Sequence, residues 1–142
     1  MREILFRGKT TSKEKGEFNN TWVYGDLIKN KDKYYIHPQA NVVTGSGELG
    51  KIIVMHEVIP ETVGQWTGLF DKNGKKIFEG DVLDTPRWVV SYCADTNAGL
   101  GMNAGWYIHR DNFTSWLELE NSEGHVVLGN IHDNPELLKS ST

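Results

Sequence analysis

Fifteen glycines are spread along 142 residues, and between them lie only short runs rich in β-branched and aromatic side chains. Glycine inside a helix costs about 1 kcal/mol relative to alanine, whereas in turns it supplies backbone angles that other residues resist. A chain cut this often is expected to fold as hairpins and meanders. The apolar pattern agrees, since no window of a dozen residues keeps a 3.6-residue period. The expected class is mainly β with little helix, and an α+β arrangement is the alternative.

Ile4-Leu5-Phe6 is the first expected strand. Residues 21–28 form the next, with a bend or bulge expected at Gly25. Further strands are expected at 34–37, 51–59, 88–92 and 105–109. Asp71-Lys72-Asn73-Gly74 reads as a tight turn, because Asn and Gly tolerate positive φ. Lys75 to Phe78 then leads into a second turn at Glu79-Gly80-Asp81, followed by Val82-Leu83. Short strands joined through a Gly-Asp turn suggest an SH3-like barrel around Asp71 to Tyr92. Asn134-Pro135-Glu136 has the cap, the proline and the first-turn acid of a helix start, with room for a turn or two. Residues 113–119 fit a strand or a helical turn equally well. The length suits one domain, 1–142, or an N-terminal β part, 1–60, packed on a barrel-like part, 61–142.

Several motifs invite a chemical reading. Gly45-Ser46-Gly47-Glu48-Leu49-Gly50-Lys51 has the glycine and lysine spacing of a phosphate-binding loop. However, Ile52 stands where Ser or Thr must hold magnesium, and a strand-like run follows where a helix should begin. No nucleotide cofactor is therefore expected. The five histidines lack the paired spacing of a helical zinc site, so no metal is expected either. His132-Asp133 would supply two ligands only if a distant residue completed the set. Glu79 and Asp81 occupy alternate positions that can share one side of a strand, although an Asp after Gly also closes turns unaided. Cys93 is the only cysteine, which excludes a disulfide framework, and no Ser lies in a nucleophile elbow.

The net charge of −4 argues against a general electrostatic hold on nucleic acid but leaves a local basic patch open. The first twenty residues lack a long apolar run and the longest, Ile52 to Met55, is too short to cross a bilayer. A cytoplasmic protein without membrane contact is expected. The five tryptophans are expected to be largely buried, with some aromatic surface left for binding.

Taken together, several segments resemble the YopX family of phage and prophage proteins. They are Met1 to Lys9, Trp22 to Leu27, Val58 to Leu69, Asp71 to Val82 and Gly129 to Leu138. Trp66 and Phe78 stand where the family more often has Tyr. The resemblance implies a β-rich protein acting in the bacterial host cytoplasm, and it brings no catalytic residue with it. Two readings follow. One is an accessory protein that binds a phage or host protein or nucleic acid, with self-association through sheet edges as a further expectation. The other is a small metal-assisted hydrolase or nuclease built on Glu79, Asp81 and His132. The binding candidates are Trp66, Glu79, Asp81, His132 and Asp133.

Overall fold

The computed structural model describes residues 3–11, 20–38, 55–83, 88–93, 104–110, 115–119 and 125–138. The glycine-rich loop 45–51, the start of the expected 51–59 strand, Asp84 and residues 113–114 lie outside them. The described strands are β1 (Phe6–Lys9), β2 (Trp22–Asn30), β3 (Lys33–His37), β4 (His56–Val58), β5 (Gly64–Phe70), β6 (Lys76–Phe78), β7 (Asp81–Leu83), β8 (Trp88–Cys93), β9 (Gly105–Arg110), β10 (Ser115–Glu118) and β11 (Val127–Asn130). They form two antiparallel sheets, ordered β4-β3-β2-β1-β5-β6 and β10-β9-β8-β7-β11. The mainly β class is thus observed. Among the described residues, helix is limited to single 3₁₀ turns at Pro60–Thr62 and Pro135–Leu138. Residues 115–118 of the ambiguous segment are strand.

The chain divides into two compact units, Met1–Gln65 and Trp66–Thr142. In the first, β2 and β3 form a hairpin closed by Lys31 and Asp32, with Asn30 opposite Lys33. Val23, Ile36 and Val58 make its core, and Phe6, Leu27, Tyr34 and Val63 pack against them. The sheet curls until β4 meets the end of β1. Thr10 bridges Val58, the Ile59 amide donates to the Lys9 carbonyl (2.8 Å), and the Thr11 amide donates to the Glu57 carbonyl (3.0 Å). Gly25 causes no break in β2, which runs straight through it. Glycine is needed there because a Cβ would collide with the His37 carbonyl oxygen of β3.

In the second unit, Ile77, Leu83, Val90, Ile108 and Leu119 form the core, flanked by Leu69, Trp88, Trp106 and Val127. No closed barrel forms around Asp71 to Tyr92. The reason lies in the Glu79-Gly80-Asp81 turn, where the chain changes ladders. Before it β6 pairs with β5, and after it β7 pairs with β8 and β11. The strands flanking the turn therefore never hydrogen-bond to one another, and a barrel cannot close through them.

Candidate functional site

The acidic candidates of the second unit lie where two turns adjoin. Asp81 is opposite Asn130 in the β7–β11 register, and the Ile131 amide donates to the Gly80 carbonyl (2.9 Å). Glu79, Asp81, His132 and Asp133 are thereby brought to one end of the β7–β11 ladder. The Asp81 and Asp133 carboxylates take part there in turn closure. Asp81 is 1% exposed, and its carboxylate accepts the Phe78 amide (2.8 Å). The Asn130 side chain accepts the His132 and Asp133 amides (both 2.9 Å) and donates to the Asp133 carboxylate (3.3 Å). Gly129 leaves room for this loop, since a Cβ would run into the Asn134 side-chain oxygen. Among the described residues, no three His, Cys, Asp or Glu side chains gather into a metal-holding group.

Trp66 is 8% exposed, and its indole N–H donates to the Leu69 carbonyl (2.9 Å). The Lys76 ammonium lies over the ring, 4.9 Å from its centroid, and Phe70 meets it edge-on at 5.3 Å. These contacts surround a register shift between Trp66 and Phe70, where Thr67 bonds the Ile77 carbonyl across the irregularity (2.9 Å). The indole fills this irregular stretch of sheet.

Sequence reasoning recognised Asp71 only as a turn residue. In the structure its carboxylate accepts the Asn73 and Lys75 amides (both 2.8 Å) and also the Val127 amide (3.0 Å), tying the β5–β6 turn to β11. Burial alone would raise its pKa, but the Val127, Lys75 and Asn73 amides and the Lys75 charge outweigh it, holding the carboxyl below its ordinary value. A diagonal pair on β8 and β9 was also not foreseen. Ser91 Oγ lies 2.8 Å from His109 Nε2, and burial lowers the imidazole pKa from 6.5, favouring the neutral ring.

The first unit is different. Alternation along β2 sends Val23, Gly25 and Leu27 inward, and Trp22, Tyr24, Asp26 and Ile28 outward. Register then places Lys9 opposite Trp22 and Arg7 opposite Tyr24, while β3 adds Tyr35 opposite Ile28 and His37 opposite Asp26. The Arg7 guanidinium lies 4.7 Å from the Trp22 ring centroid and the Lys9 ammonium 6.0 Å from it. Beside this stack Tyr24 is 47% exposed. At the hairpin tip Lys29, Lys31 and Lys33 are all exposed, with Asp32 as their acidic neighbour. Met1–Gln65 holds nine Lys and Arg against eight Asp and Glu, whereas Trp66–Thr142 holds six against eleven. The acidity of the chain thus resides in its second unit. An alternation count could have found the outward aromatics, but the Arg7–Trp22 partnership depends on the β1–β2 register.

These features define an antiparallel β protein with one aromatic and basic sheet face and an acidic second unit in which the Asp81 and Asp133 carboxylates brace two adjoining turns. The chain belongs to the YopX protein family, whose model matches residues 6–139. It also aligns with the crystal structure of protein EF1440 from Enterococcus faecalis, at 20% identity over 98% of this chain and 100% of that one, with a TM-score of 0.42. No curated protein matches the chain.

Proposed function

We propose that this protein is a phage- or prophage-encoded accessory factor of the bacterial cytoplasm that works by binding nucleic acid through its first unit. The observation that carries the reading is the Arg7–Trp22–Lys9 stack beside exposed Tyr24 on the outer face of β1 and β2. Arg7 is only 5% exposed, so Lys9 is the cation offered to phosphates, and the ordered aromatic rings offer surfaces for bases. The buried Arg7 guanidinium holds the Trp22 ring in place before a ligand arrives, which reduces the ordering cost of binding. Among the described residues, no helix is long and apolar enough to cross a membrane.

Fluorescence anisotropy with labelled single- and double-stranded DNA and RNA at about 50 mM salt tests the reading, because phosphate-driven binding weakens steeply as salt rises. At least one of these nucleic acids is expected to bind. Lys9→Glu should weaken that binding at least tenfold, whereas Lys72→Glu on the second unit should leave it unchanged. Failure of all four to bind would remove the proposal.

A further inference from the structure

We infer that the nucleic acid taken by the first unit is single-stranded, with its bases laid on Tyr24 and Trp22 and its backbone running toward the basic tip of the β2–β3 hairpin. The inference rests on the nucleic-acid reading above and narrows its ligand. The outer face provides side chains suited to unpaired bases. Tyr24 is 47% exposed, Trp22 and Tyr35 are partly exposed, and Ile28 adds apolar area beside Tyr35. In a duplex the base faces are stacked on one another, so aromatic rings on a sheet gain contact only with bases that have left a helix.

Charge placement points the same way. Lys9 lies at the Trp22 end of β2, where Arg7 is buried against the ring, while Lys31 and Lys33 lie around the turn at the other end. Asp26 and Glu57 interrupt the face between them, opposite His37 and Tyr35 in register. A duplex backbone would meet these carboxylates as part of a continuous anionic wall. A flexible single strand can place phosphates at Lys9 and at the Lys31–Lys33 tip, lay bases on Trp22 and Tyr24 and on Tyr35, and turn its backbone away from Asp26 between them. Nine residues of β2 extend about 27–30 Å, a length matching the shorter single-strand site sizes of about 4–16 nucleotides.

The experiment compares oligothymidylate of about 12 nucleotides, the matching oligouridylate and a 12-base-pair DNA duplex, a range within known single-strand site sizes. The expected result is that a single strand binds at least tenfold more tightly than the duplex. Tyr24→Ala, at an exposed position, should weaken single-strand binding by about 5- to 150-fold, the cost of losing one base–aromatic stack. The double variant Lys31→Ala/Lys33→Ala should reduce the salt slope by about 0.7 for each phosphate that is no longer neutralised. Because Trp22 packs on buried Arg7, Trp22→Ala is read only beside a thermal melt, and Tyr24→Ala decides if that variant unfolds. Equal or tighter binding of the duplex, or unchanged single-strand affinity in Tyr24→Ala, overturns this inference but leaves the broader reading standing. Binding to none of the three overturns this inference, and failure of double-stranded RNA as well overturns both.

Discussion

The two units use their polar side chains in opposite ways. In the second, Asp71, Asp81 and Asn130 are buried, and their side chains accept backbone amides at turns. Each such bond satisfies a donor that would otherwise cost about 1–3 kcal/mol in the interior. In the first, Thr10 and Thr62 do comparable work, but Lys9, Trp22 and Tyr24 are set out along a sheet face, with Arg7 buried against the Trp22 ring. The contrast teaches that motif-like acidic residues can be architecture, while a face with no recognisable motif carries the chemistry suited to a ligand.

The sharpest way to break this contrast is at its structural points. Gly25→Ala drives a Cβ into the His37 carbonyl, and because backbone cannot swing aside, a loss of about 3 kcal/mol or more is expected. Chemical denaturation should show the loss, with the fluorescence of the second unit's tryptophans reporting whether it stays within the first unit. Asp71→Ala removes three charge-assisted bonds at one carboxylate and should cost about 3 kcal/mol at neutral pH, read in the same way.

Acid dependence sharpens the comparison further. The Asp71 carboxyl is lowered in the folded protein, so its stabilisation is complete above the ordinary carboxylate range and is lost as pH falls through the folded value. Asp71→Asn should therefore flatten the acid limb of a stability–pH curve measured by urea titration. The His109 pKa is lowered as well, so its unfavourable protonation sets in as pH drops below 6.5. His109→Gln should reduce the stability lost between pH 7 and pH 5, by a smaller amount because the ring is only half-buried.

The smallest effect belongs to the β2–β3 turn. Lys31 adopts a φ of 59°, a left-handed conformation that glycine enters more easily. Lys31→Gly should raise the melting temperature slightly, by about 0.5–1 kcal/mol in free energy, while removing one tip charge. If stability falls instead, the lysine side chain contributes more to the hairpin than its turn geometry indicates.

Local chemistry made parts of the fold legible in the sequence. Asp71 to Gly74 and Glu79 to Asp81 announce turns because Asp, Asn and Gly act on their own backbone, and Pro135 marks the short 3₁₀ turn for a similar reason. The barrel expectation failed because the partners of β6 and β7 are chosen over long range. Asp81 pairs with Asn130, and no neighbouring residue encodes that choice. Gly25 suggests a bend within its own sequence, yet it answers to the His37 carbonyl on β3, which the β2 sequence does not contain. The acidic candidates were placed together by sequence, but only the positions of the Phe78 and Val127 amides show how the nearby carboxylates are engaged. The Trp22 stack was hidden for the same reason, because Arg7 and Lys9 reach it across a strand pair.

The return of β4 to the end of β1 also constrains recognition. The Ile59 and Thr11 amides and the Lys9 and Glu57 carbonyls use up hydrogen bonds that an edge strand would otherwise offer to a passing chain. At this margin a partner cannot simply extend the sheet. Discrimination by the first unit then depends on what its side chains present, so surface substitutions can retune it without disturbing the hydrogen-bonded frame.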